Sequence, residues 1–492
     1  MKASRRPFPS EPMRPLPRFP KGGLMKNILE ILAGPASFAF TAFALTGTFT
    51  PAQSFAIGTA VWMALWWILR PVSIYVTAFI PILVDSFFDL IPEGHVLSQY
   101  FSEIAVLLLG SDLICLTWTT TGLDRRISVK TLCCIGTSMK NQIFVWFLAS
   151  TLLSVFLPNV VVAAIFCPIA VAMLHFVGEK DITKSRLALP ILLAIGWGSG
   201  IGGFGSPIGS SANLVAVSYI EQLTGREFMY YDWVIRFLPL LAIIFFVNLL
   251  FLWAIPVPVK EMKGTRSYFQ DMYKAFGPLK KGEWIGLILF LSATILAFAR
   301  PAFADLLPGW KPAYIFLTLG LFMFFLKDET DHPMLTWKYA ESHIMWGMIC
   351  LFASGLALGR LVIETGAIEQ LASLIAAMHL SGSLSIMAIS CGFATFLSEL
   401  SSNTAAASIS IPVVTGLAKA LGVNPIPYIL GSIVAANCAY VLPISTRAIP
   451  IGHGLDAAEQ IKYGLLLTLI TLATTITTCT LFMMYSPLFS EL

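Results

Sequence analysis

The sequence predicts an all-α polytopic membrane protein built from two inverted-topology repeats, each containing a re-entrant hairpin and a broken helix. Three observations lead to this fold class. Of the 492 residues, 57% are hydrophobic and only 12% are charged. Apolar runs of membrane length follow one another along the chain, and one motif occurs twice inside such runs. So few charges cannot cover soluble domains, which excludes a soluble protein of this length.

The apolar runs predict about eleven membrane crossings and two hairpins that return to their own side of the membrane. The runs 143–175 and 384–416 exceed the length of one crossing and carry a polar interruption, so each is interpreted as a hairpin. The remaining runs are 28–50, 53–69, 71–91, 103–122, 187–218, 232–256, 284–303, 313–326, 343–363, 425–451 and 463–487.

The distribution of basic residues predicts the orientation of these crossings. With the amino terminus in the cytoplasm, the inside segments carry 24 Lys and Arg residues and the outside segments carry four. This bias follows the positive-inside rule. We therefore predict an integral protein of a bacterial inner (plasma) membrane, with a cytoplasmic amino terminus, an outside carboxyl terminus and lipid around its apolar surface.

Four segments are expected along the chain. We expect residues 1–27 to form a disordered basic cytoplasmic tail and residues 28–256 to form the first transmembrane half with repeat 1. Residues 257–283 combine charges with aromatic residues, which predicts an amphipathic linker helix on the cytoplasmic interface, although a plain linker is the alternative. Residues 284–492 form the second transmembrane half with repeat 2.

The duplicated motif gives the repeat its register. A Thr-Gly pair, an asparagine 37 residues later and a proline nine residues further on occur twice, at an offset of 244 residues. The two copies are Thr121-Gly122, Asn159 and Pro168, and Thr365-Gly366, Asn403 and Pro412. Matching interruptions in two repeats predict a secondary transporter with its binding site at the repeat interface.

Four breaks interrupt the apolar runs, at Pro158-Asn159, Ser401–Thr404, Gly198–Ser211 and Leu442–Arg447. Each break exposes helix amino-terminal amides among hydroxyl and amide side chains, a combination that binds carboxylate or sulfate groups. Unwound carbonyl groups at the same breaks can hold Na⁺. Helix packing explains a single glycine-rich kink or a lone asparagine, but not four breaks in register.

Charged residues deep in the predicted spans are sparse. Asp112, Glu399 and Arg447 cannot easily reach the membrane surface, which makes each a candidate functional residue. The pattern leaves open whether Glu399 and Arg447 form a structural ion pair or act on the transported ion.

Catalytic and metal-binding patterns are not found. The eight cysteines are scattered and the six histidines are single, so we expect neither an enzyme nor a cofactor, apart from Na⁺ as a candidate coupling ion. No feature predicts a nucleic-acid partner. A membrane-embedded enzyme and an anion channel remain the alternatives from other functional classes.

At the breaks, the chain resembles the divalent anion/sodium symporter (DASS) family. The segment Glu399–Ala405 contains the Ser-Asn-Thr signature of that family, and Ile201–Gly209 is similar to the glycine-rich stretch of its first broken helix. The segment Thr121–Ile127 resembles its Thr-Gly-Leu-x-Arg-Arg-Ile motif, and Leu442–Thr446 its second broken helix. The resemblance covers roughly residues 28–487 and implies a homodimer with an elevator-like transport domain.

The resemblance also implies roles for individual residues. The anion would be bound by Asn159, Asn403 and Thr404, with Ser402 helping and with Ser210 and Thr446 lining the same cavity. Na⁺ would be held by carbonyl groups around Asn159, Gly203 and Asn403. The substrate would be a dicarboxylate, a tricarboxylate or sulfate.

The chain departs from the family pattern at three places. The first Ser-Asn-Thr becomes Pro158-Asn159-Val160, which loses both hydroxyl groups. Gly-Thr-Pro-Pro-Asn becomes Gly209–Asn213, and the second Thr-Pro-Pro-Asn becomes Thr446–Ile449, which places Arg447 at the break. A fixed guanidinium there would bind the anion and favour anion exchange, whereas Na⁺-coupled symport is the alternative.

Overall fold

The computed structural model describes residues 24–258, 261–262, 264–367, 370 and 382–490. Most of the predicted tail, and residues 259, 260 and 263 of the predicted linker, lie outside the described residues. The fold class is confirmed: the described chain is helical, and nine of its helices are long and apolar enough to cross a membrane, beside several shorter apolar helices. The described helices of ten or more residues, numbered in chain order, are α1 (Leu24–Ala44), α2 (Pro51–Leu69), α3 (Glu103–Thr121), α4 (Leu123–Leu132), α5 (Met139–Ser154), α6 (Asn159–Phe176), α7 (Ala188–Gly202), α8 (Ser211–Thr224), α9 (Tyr230–Ala254), α10 (Thr265–Ala275), α11 (Lys281–Phe298), α12 (Pro312–Phe322), α13 (Trp346–Glu364), α14 (Ser383–Leu400), α15 (Asn403–Ala420), α16 (Ile426–Asn437) and α17 (Ala457–Tyr485).

Short helices connect the long ones. Those of four to nine residues are Ile74–Thr77, Ile80–Phe88, Glu93–Leu97, Arg300–Phe303, Trp337–His343, Ala448–Gly452 and Pro487–Ser490. Turns of 3₁₀-helix occur at Ser98–Phe101, Ile182–Lys184, Gly203–Gly205 and Ser445–Arg447. The predicted span 71–91 is therefore not one continuous helix, because Ala78 and Phe79 separate two short helices.

The two halves repeat the same order of elements. Hairpin 1 consists of α5 and α6 and is followed by a broken helix, in which the first break, Gly203–Ser210, separates α7 from α8. Hairpin 2 consists of α14 and α15, and the second break, Cys438–Arg447, follows α16. In both halves the first hairpin helix packs against the helix that precedes the break, α5 on α7 and α14 on α16.

The duplicated motif marks equivalent places in this repeat. Both asparagines begin the second helix of a hairpin, and Pro168 and Pro412 lie inside those helices. Gly122 ends α3 with a φ of 79°, a left-handed backbone conformation that would be strained in a residue with a side chain. The predicted repeat therefore coincides with a repeat of structural elements.

Packing across the repeats joins the broken helix of the first half to hairpin 2 of the second half. Helix α8, which follows the first break, packs against α15 of hairpin 2, and α15 also packs against α13. Helix α10 of the linker buries Phe269 against Trp146 of α5, with ring centroids 5.8 Å apart. The linker thus contacts hairpin 1 directly.

A buried ion pair joins the first half to the linker and to α11. The guanidinium of Arg126 donates to the Glu283 carboxylate at 2.7 Å and to the carbonyl oxygen of Gly277 at 2.7 Å. The two side chains are 5% and 3% exposed, so each charge depends on the other for compensation.

Candidate functional site

Both hairpin tips place an asparagine at the first residue of a membrane helix. Asn159 begins α6 and Asn403 begins α15, where unpaired backbone amides and the helix dipole favour an anion. In hairpin 2, the hydroxyl of Ser402 accepts a hydrogen bond from the backbone amide of Ala405 at 3.2 Å. Pro158 holds the equivalent position in hairpin 1, so α6 begins without a side-chain cap.

Hairpin 1 meets the first break at three predicted site residues. A β-carbon on Gly203 would lie 3.4 Å from the side-chain amide nitrogen of Asn159 and 3.3 Å from Cβ of Ser210. At Gly209 a β-carbon would lie 2.6 Å from the carbonyl oxygen of Gly203, so only glycine fits there. Asn159, Gly203 and Ser210 therefore lie together, as an anion or Na⁺ site between them requires.

Hairpin 2 reaches the first half through its own tip. The hydroxyl groups of Thr404 and Ser211 lie 2.5 Å apart, and Thr404 is buried. Ser211 is the first residue of α8, directly after the first break. This contact connects a predicted anion-binding residue of repeat 2 to the broken helix of repeat 1.

A chain of three asparagine side chains links the second hairpin tip to the first break. The amide nitrogen of Asn403 donates to Oδ1 of Asn437 at 3.2 Å, and the amide nitrogen of Asn437 faces Oδ1 of Asn213 at 3.4 Å. Asn213 in turn donates to the carbonyl oxygens of Gly203 at 2.7 Å and Ser206 at 2.8 Å. Asn213 and Asn437 are almost fully buried, so this chain fixes the position of the tip relative to the break.

Sequence reasoning missed the role of Asn437 and the importance of Asn213. Both lie next to a break in otherwise apolar helices, and that position was the available signal. It also missed a pair of serines at the 244-residue offset. The Ser154 hydroxyl donates to the carbonyl oxygen of Ser199 at 2.7 Å, and the Ser398 hydroxyl donates to that of Ala436 at 2.6 Å. Each bond ties a hairpin to the helix before its break.

Thr446 lies in the second break and is buried. Its hydroxyl has no hydrogen-bond partner among the residues that the structure describes. The turn Ser445–Arg447 packs against α6 and α7 of the first half. A buried hydroxyl without a partner is costly, so it is available to a bound ion or water.

Arg447 is held by Glu399 and by the backbone. Its Nη1 donates to Oε2 of Glu399 at 2.7 Å, its Nη2 to the carbonyl oxygen of Ser398 at 2.6 Å, and its Nε to that of Ile444 at 3.2 Å. The guanidinium is thus engaged in the structural ion pair that the sequence left as an alternative. Its side chain is 6% exposed and that of Glu399 is 13% exposed.

The amides of the second break are also engaged. Oε1 of Glu399 accepts hydrogen bonds from the backbone amides of Tyr440 at 2.8 Å and Val441 at 3.1 Å, and Oε2 accepts one from Leu442 at 3.1 Å. The Thr468 hydroxyl of α17 donates to Oε1 at 3.0 Å. The sequence predicts that amides of the break Leu442–Arg447 face an anion, whereas the Leu442 amide already donates to the Glu399 carboxylate.

Asp112, the third charged residue that the sequence singles out, contacts the start of a helix rather than the hairpin tips. Its Oδ2 accepts a hydrogen bond from the backbone amide of Met345, directly before α13, at 3.1 Å. A cavity of about 70 Å³ is lined by Asp112, Asp124 and Pro158 of hairpin 1, among other residues. Burial raises the pKa of the Asp124 carboxyl, and the hydrogen bond from the Arg125 amide opposes that effect.

The site is built from neutral oxygen and nitrogen donors. Among the described residues, no group of three or more His, Cys, Asp or Glu side chains is placed to hold a metal ion. The donors at the tips and at the first break are carbonyl, hydroxyl and carboxamide groups. The oxygen atoms of these groups suit Na⁺ better than a transition metal, and their O–H and N–H groups can donate hydrogen bonds to the oxygen atoms of a small anion.

Comparison with known proteins finds similar sequences that cover most of this chain. The family described as the sodium:sulfate symporter transmembrane region matches residues 44–489. The sodium-dependent dicarboxylate transporter SdcS of Staphylococcus saprophyticus is 27% identical over 454 residues, covering 87% of this chain and 86% of the relative. The protein of the same name from Staphylococcus aureus is 26% identical over 460 residues, covering 88% of this chain and 86% of the relative.

A solved structure shares the fold. The YdaH transporter of Alcanivorax borkumensis superposes with a TM-score of 0.53 at 11% sequence identity. The match covers 80% of this chain and 87% of that protein. At this identity the likeness concerns the fold alone.

Proposed function

This chain belongs to the family of the sodium:sulfate symporter transmembrane region, and we propose that it carries a small dianion across the membrane together with Na⁺. It is a membrane transporter and not an enzyme. The proposed substrate is a dicarboxylate, with a tricarboxylate and sulfate as the other members of the class. The relatives named sodium-dependent dicarboxylate transporters support this choice.

The observation that carries the proposal is that, within the described residues, the two hairpin tips and the first break present neutral hydrogen-bonding groups. Asn159, Asn403, Thr404 and Ser210 offer hydrogen-bonding groups but no charge, and the Arg447 guanidinium is compensated by Glu399. Moving a dianion from water into such a site is unfavourable unless a cation enters with it. Na⁺ at the same tips supplies that cation, which favours symport over the anion exchange that an unpaired Arg447 would support.

We assign the anion to Asn159, Asn403 and Thr404, with Ser402, Ser210 and Thr446 around it. The Na⁺ ligands would be oxygen atoms at Asn159, Gly203 and Asn403. The carbonyl oxygen of Gly203 already accepts from Asn213, and its second lone pair is available to a cation.

An elevator-like motion is supported by the hydrogen bonds that join the hairpins to the broken helices. The asparagine chain and the two serine bonds join the hairpins to the broken helices, so these elements would move as one body. The buried Arg126–Glu283 pair instead joins elements outside the hairpins. A homodimer embedded in lipid is the assembly that we propose around this motion.

Uptake into proteoliposomes tests the proposed function. Purified protein is reconstituted, and radiolabelled succinate, citrate and sulfate are compared under an inward Na⁺ gradient and with choline in place of Na⁺. We expect saturable, Na⁺-dependent uptake of at least one of these dianions. Undiminished counterflow in choline would contradict symport and would support exchange.

A further inference from the structure

Hairpin 2 and the second break together form a cation-binding set of oxygen atoms, which the Arg447 guanidinium already occupies. The Glu399 carboxylate and the carbonyl groups of Ser398 and Ile444 surround the Arg447 guanidinium, with nitrogen–oxygen distances from 2.6 to 3.2 Å. Carboxylate and carbonyl oxygens at an interrupted membrane helix are also ligands for Na⁺. A guanidinium therefore lies where the chemistry of the donors suits an exchangeable cation.

The first break lacks this arrangement, although the two repeats are otherwise anchored alike. Ser154 and Ser398 make equivalent bonds, but the residue after each serine differs, being Val155 in repeat 1 and Glu399 in repeat 2. The carbonyl oxygen of Phe204 in the first break accepts from the indole nitrogen of Trp233 at 2.9 Å, a neutral donor. Within the described residues, the ion pair thus belongs to one repeat alone.

The guanidinium is a permanent occupant because arginine stays protonated in proteins. Its side chain is 6% exposed, and its partner also binds three backbone amides of the break. Leaving this position would strand the carboxylate in a buried site. The break can therefore keep its shape without a cation from solution.

We propose that Arg447 acts as a built-in cation at the second break, so that this carrier binds Na⁺ at the hairpin 1 tip and first break only, and Asn403 serves the anion rather than Na⁺. The inference rests on the proposed function and adds the coupling stoichiometry to it. The internal repeat provides two places for a cation, and Arg447 removes one of them from the transport cycle. Na⁺ dependence of uptake in the unaltered protein should then have a Hill coefficient of about one.

Removing the guanidinium should recreate an exchangeable site. In Arg447→Ala the Glu399 carboxylate and both carbonyl groups remain, so a Na⁺ ion can take the empty position. We expect uptake at low Na⁺ to fall by about tenfold or more, uptake at high Na⁺ to recover, and the Hill coefficient to rise toward about two. Added guanidinium ion should restore uptake at low Na⁺.

A matched control exists on another part of the chain. Arg300 is buried, pairs with Glu227 through two nitrogen–oxygen contacts of 3.2 Å, and donates to the carbonyl oxygens of Leu307 and Pro308. Arg300→Ala removes a similar guanidinium away from the breaks. It should lower thermal stability in detergent without changing the Hill coefficient.

The outcomes separate this inference from the proposed function. A Hill coefficient near two in the unaltered protein overturns the inference while leaving Na⁺ symport intact. So does an Arg447→Ala protein that is monodisperse on size-exclusion chromatography, yet has an unchanged Hill coefficient and no response to guanidinium. If Arg447→Ala does not fold, the unaltered protein and Arg447→Lys still test the inference, because both should have a Hill coefficient of about one. Uptake that does not depend on Na⁺ overturns the proposed function itself.

Discussion

Replacing Asn437 by alanine should weaken substrate binding although Asn437 is not predicted to touch the substrate. The change removes the bond from Asn403 at 3.2 Å and the contact with Asn213 at 3.4 Å. A side-chain hydrogen bond between membrane helices is worth about 0.6 kcal/mol on average, and a buried amide left without a partner costs about 1–3 kcal/mol. We expect a loss of about 1–3 kcal/mol, or about five- to 150-fold in apparent affinity.

Asn248→Ala provides the control for this experiment. Asn248 is fully buried in α9, and its amide nitrogen donates to the carbonyl oxygen of Ile244 at 2.9 Å. The amide nitrogen of Asn437 makes the same type of bond to the carbonyl oxygen of Ile433, also at 2.9 Å. Both variants therefore lose a buried carboxamide and its bond one turn back, and only Asn437→Ala loses the link between hairpin 2 and the first break.

The assay is the initial rate of Na⁺-driven succinate uptake, from which KM is obtained for each variant, alongside a double-mutant cycle of Asn437→Ala with Asn403→Ala. If Asn403 acts through its bond to Asn437, the two effects should be clearly less than additive. Equal KM values for the Asn437 and Asn248 variants, or full additivity in the cycle, would refute the reasoning.

Three further predictions follow from single contacts. Asn159→Ala and Asn403→Ala should each raise KM by about tenfold or more, because each removes a carboxamide at a helix amino terminus; changes within about twofold in uptake assays would argue against the two tips as the anion site. Pro158→Ser combined with Val160→Thr should tighten dicarboxylate binding severalfold, since it restores two hydroxyl groups to the first tip, and isothermal titration of folded protein checks this. Glu283→Gln should lower the thermal unfolding midpoint, because it leaves Arg126 buried without its counter-charge. As the control, Asp271→Asn removes the carboxylate of an exposed ion pair and should not change the midpoint.

The sequence by itself determined the class and the repeat of this protein. Long hydrophobic runs with few charged residues predict a protein that lies within a lipid bilayer. The 244-residue offset predicts that Asn159 and Asn403 lie at equivalent hairpin tips. These conclusions rest on local properties, because backbone in lipid must form helices and its interruptions stand out along the chain. The pattern also predicted which residues could line a site at the breaks.

Only the tertiary structure decided which of those groups are free to bind an ion. The sequence left open whether Arg447 binds the substrate or pairs with Glu399. In the fold its guanidinium donates to the Glu399 carboxylate, 48 positions earlier in the chain. The fold likewise brings Asn213 and Asn437 within hydrogen-bonding distance across a separation of 224 residues. Such partners depend on how hairpin 2, the second break and α8 pack together, and no spacing along the chain encodes that three-dimensional proximity.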